Sequence, residues 1–142
     1  MRLLVDTNVV LDPMLARHPH DAAARRVVSL MARGELEGYL GATTVTTIFY
    51  LASKHAGREA ARAQLERLLA IFRVAPVTET VIREALAGDF EDFEDAVLHE
   101  AARCVGADAI LTRDSAGFRR ASCRVLTPDA LLASLAESSG DR

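Results

Sequence analysis

A chain of 142 residues, half of them hydrophobic and about a quarter charged, suits one globular domain with a sizeable core and excludes a disordered polymer. Its net charge of −3 excludes a protein that holds nucleic acid by bulk positive field. No apolar run approaches the roughly 18 residues of a membrane span, so a soluble, cytosolic (cytoplasmic) protein is expected.

Leu3-Leu4-Val5 is a short apolar run that stops at Asp6-Thr7-Asn8, the pattern of a strand buried on both faces that delivers a carboxylate to its C-terminal tip. Each of the three polar side chains also suits the cap of a following helix, and the stretch alone leaves both roles open. Val9 to Leu11 begins a short helix that Asp12-Pro13 interrupts, with Asp12 expected to cap a new turn and Pro13 at its first position. After the breaker His18-Pro19-His20, a helix is expected from Asp21 to about Arg33, ended by Gly34. The two histidines lack a third ligand nearby, which argues against a zinc site. A second strand is expected at Gly38-Tyr39-Leu40-Gly41, followed by a helix to about His55 capped by Thr43 or Thr44. Across Gly57, an amphipathic helix runs from Arg58 to Phe72, and the two helices could form an exposed hairpin for a protein partner. A third strand follows at Val74 to Val77, and then a helix from about Thr78 to Ala87.

Asp89-Phe90-Glu91-Asp92-Phe93-Glu94-Asp95 places five carboxylates in seven residues, ahead of a helix whose Val97, Leu98, Ala101, Ala102, Cys104 and Val105 share one face. Cys104 is therefore expected to be a buried, reduced thiol, and Cys123 has no metal-ligand spacing to it. Acids at a helix start each gain about 0.3–1 kcal/mol from the macrodipole, which accounts for one or two of the five. Asp92 and Asp95, three apart, should share one side of that helix, with His99 a flank residue that finds a hydrogen bond, while Glu91 and Glu94 project elsewhere. Ala109-Ile110-Leu111 is another buried strand that empties into Thr112-Arg113-Asp114, repeating the logic of Asp6. A short turn at Ser115 to Phe118, a strand at Arg124 to Leu126, and a helix from Thr127-Pro128-Asp129 to about Ala136 complete a domain of residues 1–136. Residues 137–142 are expected to form a flexible tail.

Strands alternate with helices throughout, which implies an α/β fold: a central, mostly parallel sheet of about five short strands with helices on both faces. Asp6 and Asp114 then leave strands at one edge of the sheet, where Asp92 and Asp95 can join them. Carboxylates so gathered cannot all stay ionised without a cation, and hard oxygen ligands select Mg²⁺ or Mn²⁺. A carboxylate-held divalent ion that also contacts phosphate is the equipment for phosphodiester hydrolysis. Arg113, Arg119, Arg120 and Arg124 could guide an RNA backbone towards it.

Leu4-Val5-Asp6-Thr7-Asn8, Phe93-Glu94-Asp95-Ala96 and Leu111-Thr112-Arg113-Asp114 stand in the order and approximate spacing of the PIN-domain ribonucleases. From Arg2 to about Leu132 the chain resembles in particular the VapC-like toxins of prokaryotic type II toxin–antitoxin pairs. The resemblance implies a metal-dependent ribonuclease in which Asp6, Asp95 and Asp114 hold Mg²⁺ or Mn²⁺ and orient the attacking water. Asn8 or Thr7 would support the first carboxylate, with Thr112 a further supporting residue. It also implies a homodimer and a cognate antitoxin that blocks the cleft. One departure stands out: the family usually places a Glu near the start of the helix after the second strand, and here Thr47 occupies that position. Asp92 is accordingly expected to supply the missing oxygen ligand. The absent Glu also motivates an alternative, a catalytically weak or inactive PIN-like module that binds RNA or a protein partner. A haloacid-dehalogenase-like phosphatase is disfavoured, because Asn8 stands where that chemistry wants a second Asp and the only lysine, Lys54, is far in sequence from the other strand tips.

Overall fold

The computed structural model describes residues 1–140, and its centre is β1 (Arg2–Val5), whose Leu3, Leu4 and Val5 are wholly buried. On one side β1 pairs with β2 (Glu37–Gly41), which pairs with β3 (Arg73–Ala75); on the other it pairs with β4 (Ala109–Leu111), which pairs with β5 (Arg124–Leu126). All four pairings are parallel, giving the order β3-β2-β1-β4-β5. The chain thus builds outward from β1 in one direction and then starts again on its other flank. The reversal lies between β1 and β4, the place where an open α/β sheet leaves a crevice beyond its strand ends.

Because strand side chains alternate between faces, Leu3 and Val5 enter one core and Leu4 the other. The first core receives α1 (Thr7–Met14), α2 (Asp21–Ala32), α3 (Ala42–Ala56) and α7 (Pro128–Gly140), through Val9, Val27, Ile48 and Leu131. The second is covered by α6 (Phe93–Cys104), through Leu98, Ala101 and Ala102, with Phe118 of the 3₁₀ turn Ser115–Phe118 beneath it. α4 (Arg58–Ile71) folds back on α3 across Gly57, whose φ of +91° suits glycine, and α5 (Glu79–Ala87) packs on α6. Gly38 is demanded by packing: a Cβ there would lie 2.6 Å from Met31 Sδ and 2.8 Å from the Phe72 ring.

Several local expectations are corrected. Pro13 lies inside α1, and Asp12 caps nothing; it is buried within that helix. α3 starts ahead of both threonines, with Gly41 in the cap position and so no side-chain cap; Thr44, inside the helix and buried, accepts from the Thr7 hydroxyl at 3.2 Å. Pro76 ends β3 earlier than expected, at Ala75. Cys104 is exposed at the last residue of α6, just outside the apolar stripe, and Cys123 is a second free thiol. α7 continues past Ala136 to Gly140; the remainder of the expected tail, 141–142, lies outside the described residues. Thr127 does cap it, accepting from Ala130 N at 3.1 Å. No helix among the described residues is long and apolar enough to cross a membrane.

Candidate active site

Val5 and Leu111 are paired across β1 and β4, so the residues that follow them emerge side by side. Asp6 fills both roles its sequence left open. It caps α1 in an extended conformation (φ −67°, ψ 150°), accepting from Thr7 N at 2.7 Å, while its carboxylate faces the crevice. Its Oδ2 accepts from Thr112 Oγ1 at 2.8 Å and from Asn8 Nδ2 at 3.3 Å. Thr112, wholly buried, also accepts from Asp114 N at 3.0 Å, so one hydroxyl ties the two strand exits together. The Thr7 hydroxyl turns away to Thr44; only its backbone serves Asp6.

Asp92 caps α6 (φ −102°, ψ 119°), its Oδ1 accepting from Glu94 N at 2.8 Å and Asp95 N at 3.3 Å. It stands outside the helix, so helical spacing does not set its direction; it reaches the crevice as a cap, while Asp95 reaches it from the first turn. Glu94, expected to point elsewhere, also lines the crevice, whereas Glu91 turns outward. Gly117 of the 3₁₀ turn closes the other side: a Cβ there would sit 2.7 Å from Asp95 Oδ2 and 3.8 Å from Asp114 Oδ2.

The resulting cleft, about 280 Å³, is lined by Asp6, Asp92, Glu94, Asp95 and Asp114 together with Asn8 and with Arg17, whose guanidinium lies 3.7 Å from buried Asp12 rather than on a cleft carboxylate. Burial raises the Asp6 pKa, and repulsion from Asp114 and Asp92 adds to it, against the hydrogen bonds from Thr112 and Thr7. Asp95 is pushed up to about 7, first by burial and then by Asp92, Asp6, Glu94 and Asp114. Glu94 is raised by burial, then by Asp92 and Asp6. Neighbouring arginines do not relieve this charge. Arg113 donates to buried Asp12 at 2.8 and 3.3 Å, Arg119 to Glu91 at 3.4 Å, and Arg120 to Asp89 at 2.8 Å. Among the described residues, no cleft carboxylate pairs with a basic side chain.

This all-oxygen, unneutralised donor set fits a hard divalent cation by its chemistry. It is not a closed cage: among the described residues no three His, Cys, Asp or Glu side chains already converge as ligands, so a cation would have to draw the carboxylates in. α3 adds no acid. Thr47 donates to its own helix at Thr43 O (3.3 Å), and the Thr43 hydroxyl is buried without a partner. Of the arginines singled out by sequence, Arg119 and Arg120 border the site, Arg113 is turned inward to Asp12, and Arg124, paired with Ala109 at the start of β5, lies at the other end of the strands. A larger hollow, about 410 Å³ between α2 and α7, has Glu35 as its only acid among the described residues, paired with Arg33 at 3.2 Å.

Comparison with known proteins bears on this arrangement. The sequence profile of the PIN domain matches residues 2–116. A toxin–antitoxin complex from Klebsiella pneumoniae is similar in fold, with a TM-score of 0.68 at 18% identity over 89% of this chain and 97% of that one. FitAcB from Neisseria gonorrhoeae gives 0.66 at 23% identity over the same shares. VapC20 of Mycobacterium tuberculosis, described as a sarcin–ricin-loop-cleaving toxin, gives 0.59 at 22% identity over 76% of this chain and 86% of that one. Among curated proteins, no sequence matches.

Proposed function

The chain belongs to the PIN-domain family, and from that premise and its acidic cleft we propose that it is a divalent-metal-dependent endoribonuclease, the toxin of a toxin–antitoxin module. The observation that carries this reading is the five-carboxylate cleft at the switch point between β1 and β4, in which no carboxylate has a basic partner among the described residues. Asp6, Asp95 and Asp114 would hold Mg²⁺ or Mn²⁺, with Asp92 a fourth donor through the oxygen its capping bonds leave free. Such an ion polarises a phosphoryl oxygen and lowers the pKa of a bound water. Thr112 and Asn8 fix the Asp6 carboxylate, and Thr112 fixes the start of the Asp114 segment, so the donors are oriented before RNA arrives. A cation held there would favour the ionised form of Asp95, against the burial and neighbouring carboxylates that raise its pKa. The toxin–antitoxin complex among the structural neighbours supports a cognate antitoxin partner; an antitoxin that covers the cleft, a second copy of the chain in a homodimer and a place in the cytoplasm belong to the same proposal.

The test is cleavage of a mixed RNA pool with Mg²⁺ or Mn²⁺ and with chelator, beside Asp6→Asn. Metal-dependent cleavage lost in the variant is expected; cleavage that persists in chelator or in the variant refutes the reading. Asp92→Asn separates its two roles, since Asn also caps helices well: stability should hold while metal affinity falls. Unchanged metal affinity and cleavage would remove Asp92 from the ligand set.

The missing acid on α3 favours a second reading, an inactive module that binds RNA or a protein partner. Folded, partner-free protein that binds RNA yet never cuts it would establish that alternative.

A further inference from the structure

Beside the acidic cleft lies a second hollow of about 190 Å³ that shares Asp92, Asp95 and Asp114 with it and carries Arg119 and Arg120 on its rim. The two arginines are bound across that rim, Arg119 to Glu91 at 3.4 Å and Arg120 to Asp89 at 2.8 Å. All four side chains are well exposed: 67% for Arg119, 58% for Arg120, 87% for Glu91 and 86% for Asp89. Exposed pairs of this kind are weak and exchange readily. The backbone beneath them is fixed by other means. Phe90, between the two acids, stacks on His99 at 5.0 Å and meets the edge of buried Phe118 at 6.2 Å. Ser122 N, just beyond the arginines, donates to His99 Nε2 at 3.0 Å. Only the tips of the charged side chains are free to change partner.

We infer that this hollow is a phosphate subsite for single-stranded RNA, in which Arg119 and Arg120 leave Glu91 and Asp89 and each takes a backbone phosphate beside the bond being cut. The inference rests on the ribonuclease reading above. A guanidinium grips phosphate with two parallel charged hydrogen bonds, a better partner than an exposed carboxylate. Glu91 and Asp89 then act as place-holders: they keep the arginines on the rim of the cleft, away from its inner carboxylates, and lower RNA affinity until phosphate displaces them. Both hollows are recesses, which a strand that bends can enter and a stiff A-form duplex cannot.

The experiment measures binding of a labelled single-stranded RNA oligonucleotide by fluorescence anisotropy, in chelator so that no cutting occurs, over a range of salt. Removing both arginines (R119Q/R120Q) should weaken binding and flatten the dependence of log Kd on log salt by about 1.4, at roughly 0.7 per lost phosphate contact. Removing both acids (D89N/E91Q) should tighten binding about 2- to 30-fold, the range implied by two exposed pairs. The tightening should vanish when the acids are removed from R119Q/R120Q, because there is nothing left for them to hold. Tightening that persists there is bulk charge and overturns the subsite, as does an unchanged salt slope in R119Q/R120Q. Cleavage by the parent protein with Mg²⁺ is followed in parallel. If it cuts RNA while either overturning result appears, the subsite alone falls; if it neither cuts nor binds RNA, the ribonuclease reading falls and takes the subsite with it.

Discussion

Asp95→Asn should stabilise the metal-free protein, and by an amount that depends on pH. Asp95 rises from 3.8 to about 7 in the folded chain, chiefly through burial and then through Asp92, Asp6, Glu94 and Asp114. An acid raised in the folded state contributes its full stability below its unfolded pKa and loses it as pH climbs through the folded one. The penalty of the wild-type carboxylate therefore grows from about pH 4 and levels off above pH 7. At 1.36 kcal/mol per unit, three units would be ~4 kcal/mol. Asp95 stands in an open cleft where water screens it, and a discounted ~1–2 kcal/mol is the expected gain from Asn at pH 8. For a chain of this size that is a rise in Tm of about 3–8 °C. The assay is thermal unfolding in chelator at pH 4.5 and pH 8, repeated with Mg²⁺. At pH 4.5 the two proteins should melt nearly together; with Mg²⁺ at pH 8 the order should narrow or reverse, since the wild type binds the cation better. Equal stabilisation at both pH values, or destabilisation by Asn at pH 8 in chelator, would refute the electrostatic account of the cleft.

Other substitutions test the supports around that cleft. Gly117→Ala puts a Cβ 2.7 Å from Asp95 Oδ2, the end of a movable side chain, so stability should change by under about 1 kcal/mol, while displacement of the carboxylate lowers cleavage about 10- to 100-fold; denaturant unfolding beside a turnover assay separates the two. Thr112→Val deletes the 2.8 Å bond to Asp6 and the acceptor for Asp114 N; it should cost about 1–3 kcal/mol in urea unfolding and raise the Asp6 pKa further, shifting the cleavage profile towards higher pH. Asp12→Asn removes the buried charge that Arg113 and Arg17 both face; because Arg113 is 35% exposed and can turn to water, the change should cost about 1–3 kcal/mol, with Mg²⁺ affinity falling alongside because Arg113 precedes Asp114. A loss below 1 kcal/mol would mean that the Asp12–Arg113 pair does not brace the Asp114 segment.

Much of this was legible in the residues. Leu3-Leu4-Val5 and Ala109-Ile110-Leu111 read as strands buried on both faces because no polar side chain interrupts them, and they are so. Their abrupt endings at Asp6 and Thr112 marked the crevice edge, and Pro128 after Thr127 marked the start of α7. Short-range chemistry of this kind is carried by neighbours in the chain.

Part of what failed depended on neighbours distant in the chain, and part on where a helix begins. Asp12 looked like a cap by its local pattern, yet Arg113, 101 residues away, makes a buried acid tenable there. Glu94 looked like an outward acid because Asp92 was counted as helical; Asp92 in fact precedes the helix as its cap, and Glu94 faces the cleft from the first turn. The chain alone thus determined strand identity, α/β alternation and which carboxylates end strands, since those follow from hydrophobic period and local capping. Only the tertiary structure decided the order β3-β2-β1-β4-β5, the entry of Glu94 among the acids expected at the strand ends, and the pairing that turns Arg113, Arg119 and Arg120 to other carboxylates. Those follow from which strands lie side by side, and that is settled by packing over the whole sheet.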